Sequence, residues 1–147
     1  MSLDVYLEDD ETQPERWAIF IRDDGQTKEI TLEEWNRRFP GMQPSLAHVG
    51  GATDVYSTNI THNLNTMAEA AKLYSALWRP ETIGISKAGQ LIKLLTSGLA
   101  ELRADPDKYK TYNPSNGWGD YDVFVRFVEQ YLEACKKNPE ANVRVSR

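Results

Sequence analysis

The chain has 147 residues, with 17 Lys and Arg against 22 Asp and Glu, two His and a single Cys. That length suits one ordinary domain able to bury a core unaided, and one Cys excludes an internal disulfide framework or a Cys-based zinc cluster. The net charge of −5 argues against broad nucleic-acid binding, no run of 18 apolar residues offers a membrane span, and residues 1–10 lack a signal-peptide pattern, so a soluble cytoplasmic protein is expected.

The charge is uneven. Residues 1–50 hold 11 acids and 5 bases, whereas 51–147 hold 11 acids and 12 bases. The acidity therefore belongs to the first third, as a solvated face or a contact for a basic partner.

Leu3, Val5 and Leu7 alternate with Asp4 and Tyr6, which predicts a half-buried strand over 2–7. Residues 8–15 read as a polar connection. Residues 17–22 (WAIFIR) and 27–30 flank Asp24-Gly25, the chemistry of a tight hairpin. Thr31 and Glu34 form a capping-box pattern for a short helix over 32–39, ended by Pro40-Gly41. Residues 43–53, with Pro44, Gly50 and Gly51, read as a loop. A second strand is expected over 54–59.

After a chain reversal at 59–63, Leu64, Met67, Ala68, Ala71, Leu73, Tyr74, Leu77 and Trp78 predict one continuous helix, stopped at Arg79-Pro80. Ser86 is a plausible cap for the next helix, with Leu91, Leu95, Leu99 and Leu102 on its apolar stripe. Gly98 inside it needs a close neighbour to justify it. Asp105-Pro106 opens a short helix, 113–120 is a loop, and a last helix carries Tyr121, Phe124, Val125, Val128, Tyr131, Leu132 and Cys135 on one face. Residues 142–146 alternate as a final strand beside an early one. The expected class is α+β, a single domain with three main helices on a small, mostly antiparallel sheet. Residues 16–41 form a hairpin-helix embellishment on a core of 1–8 and 54–147.

Three clusters carry candidate chemistry. Asn59, His62 and Asn63 gather with Thr61 where a strand hands over to a helix, a place suited to a phosphate or carboxylate, although the same residues also serve as plain helix caps. Arg79 follows a helix end and can hold an anion bidentately or simply complement the helix dipole. The loop 113–121 sets Asn116, Trp118 and Tyr121 around Gly117 and Gly119, either a ligand-binding lip or a tight turn packed on the core. Cys135, on an apolar face, reads as an inert core thiol. No metal-ligand spacing and no cofactor motif is found.

The strings MSLDVYL, NITHNL, LWRP, IGI and NPSNGWG and the tail VRVSR make the chain resemble a family of small bacteriophage and bacterial proteins with no established activity. The resemblance spans about two thirds of the chain. It implies a bacterial or host cytoplasm and a core with a variable segment at 8–53, and it transfers no site residue.

The leading expectation is a small accessory protein binding an anionic or nucleotide-like small molecule through Asn59, His62, Asn63, Arg79, Asn116, Trp118 and Tyr121. In a phage setting, sequestering a host signalling nucleotide is one use of such a site. Two alternatives stand beside it. One is a protein-interaction module that modulates a host or phage assembly through the acidic N-terminal third. The other is an enzyme with His62 as general acid or base. The 11 Trp and Tyr residues also suit a homodimer.

Overall fold

In the computed structural model, the side chains described are those of residues 1–9, 15–50 and 54–147. The N-terminal strand β1 spans Ser2–Asp23 and β2 spans Gln26–Ile30. They pair antiparallel, with Asp23 opposite Gln26, so only Asp24 and Gly25 make the turn. Both have positive φ, 50° and 77°, the conformation of a hairpin turn whose twist matches its strands. The helix α1, Leu32–Arg38, follows, and the Thr31 hydroxyl accepts from the Glu34 N–H at 3.1 Å.

The strand β3 runs Leu46–Thr61. It begins well before the expected 54, which corrects the loop reading at Leu46, Ala47, His48, Val49 and Gly50; the side chains expected in a loop at 51–53 lie outside the described residues. Similarly, Glu8, Asp9 and Glu15 belong to β1 rather than to a polar connection, and the connection's remaining residues, 10–14, lie outside the described set. Polarity misled here because residues 46–50 bury neither face fully, and a strand held by backbone pairing alone carries no hydrophobic alternation to read.

The helical half starts with a 3₁₀ turn at His62–Leu64, then α2 at Asn65–Ala70 and α3 at Tyr74–Trp78. The single helix expected over 64–78 is thus two. Lys72 has φ 63°, and the Leu73 N–H bonds back to the Ala68 carbonyl at 2.7 Å, which closes α2 in a left-handed turn. A 3₁₀ turn at Pro80–Ile83 follows, then one at Ala88–Leu91 that leads into α4, Ile92–Ala104. Ser86 is not the cap expected of it. Residue 87 precedes the first turn, and the Gln90 side chain accepts from the N–H groups of Ser86 and Lys87 at 2.8 and 3.0 Å. The short α5, Pro106–Lys110, is capped by Asp105, and α6, Tyr121–Lys137, by Asp120. The strand β4, Asn142–Ser146, closes the chain and pairs antiparallel with β1, Val5 opposite Val145.

The architecture is α+β. The sheet order is β2-β1-β3, with β4 on β1, and the chain divides into two compact units, Met1–Asp10 with Asp54–Arg147, and Glu11–Thr53. In the larger unit, Leu3, Val5 and Leu7 of β1 are completely buried with Ile60, Leu64, Met67, Leu77, Leu91, Leu95, Phe124, Val128 and Tyr131. Helices α4 and α6 share the most extensive helix–helix packing. Gly98 of α4 is buried against Leu73, where a Cβ would stand only 2.2 Å from a Leu73 methyl. In the smaller unit, the hairpin carries an Arg16–Glu29 ion pair, and Trp17 meets His48 edge-on at 5.3 Å. Among the described residues, no charged residue is buried, and no helix is long and apolar enough to cross a membrane.

Candidate functional site

Three of the singled-out segments meet in the larger unit only in part. Gly119, at φ 87°, lies so close to the end of β3 that a Cβ would stand 2.8 Å from the Thr61 methyl and 3.0 Å from Leu64. That close approach brings the loop before α6 against residues 59–61. Between them lies a groove of about 330 Å³, lined by Asn59, Ile60, Thr61, Gly119, Arg126 and Gln130 together with Thr58, Val123 and Phe127. Its floor is mixed: Ile60 and Phe127 are buried, while Asn59, Arg126 and Gln130 are exposed.

Arg126 is the cation of this groove. Of the other cations on or near α6, Lys136 pairs with Glu133 and Arg103 of α4 pairs with Glu129 at 2.9 Å. No ion pair or hydrogen bond of the Arg126 guanidinium occurs among the described residues. Five N–H donors on a planar fork therefore face solvent beside two side-chain amides, those of Asn59 and Gln130. Such a set suits a carboxylate or phosphate oxygen, with the amides supplying further donors.

Sequence reasoning missed Arg126 and Gln130. Helical spacing does set Val123, Arg126 and Gln130 on one face, opposite the apolar stripe, but a solvated helix face has the same pattern, so the sequence carried no signal that singles them out.

The other expected residues lie elsewhere. The Nδ1 of His62 accepts a hydrogen bond from the indole N–H of Trp78 at 2.9 Å, which fixes the proton of the neutral ring on Nε2. The His62 ring meets Trp78, its backbone pairs with Met1 and Asn65, and no carboxylate forms an ion pair or hydrogen bond with it among the described residues. Asn63 donates to the Thr61 hydroxyl at 3.2 Å, by its side chain, and at 3.3 Å, by its backbone. Arg79 is exposed at the end of α3, where its charge helps hold the Glu81 carboxyl below the usual range; the main cause is a hydrogen bond from Arg147. Asn116 accepts from the Trp118 N–H at 3.0 Å, a local turn that leaves the Trp118 ring 69% exposed. Tyr121 is buried and donates its hydroxyl proton to the Leu102 carbonyl at 2.7 Å, so it ties α6 to the end of α4. Of the seven residues expected to line one ligand site, Asn59 alone lines this groove; His62, Asn63, Arg79, Asn116, Trp118 and Tyr121 do not.

Cys135 is buried, and burial pushes its thiol up to about 12. Among the described residues, no three His, Cys, Asp or Glu side chains converge as metal ligands would. The smaller unit has a cavity of its own, about 730 Å³, with apolar walls from Trp17, Ile19, Ile30, Leu32, Pro44 and Leu46. No family model, curated protein or solved structure matches the chain.

Proposed function

We propose that the protein binds a small anionic or nucleotide-like molecule in the groove between the end of β3 and the first half of α6. One observation carries this reading: the Arg126 guanidinium, unpaired among the described residues, stands in a concave site with the amides of Asn59 and Gln130. A volume of about 330 Å³ lies at the small end of ligand clefts, enough for a mononucleotide fragment or a dicarboxylate. Ile60 and Phe127 supply an apolar element of the lining beside the charge. In the bacterial or phage cytoplasm that the family resemblance implies, sequestration of a host signalling nucleotide would suit such a site.

The test is isothermal titration and thermal shift with phosphate, dicarboxylates and mononucleotides on the wild type and on Arg126→Ala. Saturable binding of at least one of these, weakened tenfold or more by Arg126→Ala, is the expected result. If none binds, or if the variant binds equally well, the reading fails.

A second reading, a protein-interaction module in the N-terminal third, is favoured by the exposed apolar side chains of the smaller unit. Trp17 is 65% exposed and Leu32 and Leu46 are each 56% exposed, all around the 730 Å³ cavity. Contiguous apolar surface of this kind commonly marks interaction sites. It predicts a partner whose capture is lost with Trp17→Glu and Leu46→Glu but retained with Arg126→Ala.

A further inference from the structure

The groove beside Arg126 does not stop at the ligand site. It adjoins a second hollow of about 440 Å³, which shares Gln130 with the first and continues along α6 past Glu133 to Lys137, with Val55 and Tyr56 of β3 as its other wall. The whole length of this cleft is bounded on one side by β3. In the sheet order, β3 has a single neighbour, β1, so its outer edge forms no ladder among the described residues. The backbone N–H and C=O groups of such an edge are a template for another strand.

The charges in the cleft restrict the occupant. Arg126 stands at one end and Lys137 at the other, and neither has an ion-pair partner among the described residues. The acids between them are engaged: Glu129 by Arg103 and Glu133 by Lys136. Beyond Lys137 the cleft is bordered by Asp9 and Glu140. The two free cations are eleven residues apart on α6, which is about 16 Å along a helix rising 1.5 Å per residue. An extended chain covers that distance in about five residues.

We infer that the β3–α6 cleft takes an extended peptide as an added strand on the open edge of β3, with acidic side chains about five positions apart paired to Arg126 and Lys137. The peptide's backbone supplies the hydrogen bonds, and the two cations set register and direction. This goes beyond the small-anion reading, since it uses Lys137 and the strand edge, which a small ion at Arg126 does not touch.

The probes are fluorescein-labelled, acetylated Val/Thr peptides with two Glu residues spaced four, five or six positions apart. Control peptides carry Lys in place of both Glu, or N-methyl groups at alternate backbone nitrogens. Binding is read by fluorescence anisotropy on the full chain, with folding of each variant checked by circular dichroism. At least one Glu peptide should bind, with the Lys analogue and the N-methylated analogue weaker by tenfold or more. Lys137→Glu should weaken the Glu peptide and not weaken phosphate or nucleotide binding. The inference is overturned if no Glu peptide binds, if N-methylation has no effect, or if Lys137→Glu leaves peptide affinity unchanged. Small-anion binding without peptide binding would sink it and leave the proposed function standing. Peptide binding without small-anion binding would support it and remove the proposed function.

Discussion

Substituting Gly98 by Ala should destabilise the protein, although the same change in an exposed helix interior is normally favourable. Ala exceeds Gly in helix propensity by about 1 kcal/mol. At Gly98, however, the added Cβ would stand 2.2, 2.3 and 2.7 Å from Leu73 Cδ2, Cγ and Cδ1. Ordinary carbon–carbon contact begins near 3.5 Å, so Leu73 would have to move by more than an ångström. It has nowhere to go: it is completely buried and sits at the reversal between α2 and α3. Overpacking of this kind costs about 1–3 kcal/mol. With the deep overlap placing the cost near the top of that range, the net loss is about 2 kcal/mol, or roughly 6 °C in Tm for a domain of this size. The assay is urea unfolding followed by circular dichroism, with a double-mutant cycle. Leu73→Ala alone should cost about 2–5 kcal/mol. In that background the clash is gone, and Gly98→Ala should become stabilising by about 1 kcal/mol. A neutral or stabilising effect of Gly98→Ala in the wild type, or the absence of a sign change in the Leu73→Ala background, would refute the reasoning.

Two buried tyrosines should respond oppositely to loss of their hydroxyls. Tyr131 Oη is buried without a hydrogen-bond partner among the described residues, so Tyr131→Phe should be neutral or stabilise by about 1 kcal/mol, whereas Tyr121→Phe loses the bond to the Leu102 carbonyl and should cost about 1 kcal/mol. The pair is read by denaturant midpoints. Cys135 should not react with a disulfide reagent at pH 8 until the chain unfolds, because its thiol is raised from 9.0 to about 12 by burial. A raised folded value means that the unfolded chain loses its proton first. The stabilising contribution is therefore complete below the ordinary thiol range and declines as pH rises towards about 12. Wild type minus Cys135→Ala stability, measured across that window, should show the decline.

What can be read without coordinates is whatever a few neighbouring residues decide among themselves. Asp24-Gly25 makes its turn because Gly25 tolerates positive φ and the flanking runs favour strands. Thr31, Asp105 and Asp120 cap their helices through a side-chain oxygen that accepts from the N–H three residues on. The alternation of Leu3, Val5 and Leu7 declares which face of β1 is buried, and the stripe on α6 does the same at helical spacing. These are short-range contests of dihedral preference, capping and amphipathic period, so the α+β class follows from them.

The break between α2 and α3 is a different matter. The stripe from Leu64 to Trp78 fits one helix, and nothing local forbids it. The chain breaks at Lys72, placing Leu73 against Gly98, 25 residues further on, a contact whose packing outweighs helix continuity. The length of β1 and β3 is also non-local, since a polar strand is held by its neighbour's backbone rather than by its own side chains. Most of all, the candidate site depends on which residues the fold brings together. Residues 59–61 and Gly119 are distant in sequence and meet because Gly119 has no side chain to hold the loop away. Arg126 and Gln130 enter the groove through the helix period, and His62, with the pattern of a ligand, ends as an acceptor for Trp78. Chemical types and local geometry were legible in the residues. The convergence of donors into one cleft was decided by burial and close packing over the whole chain.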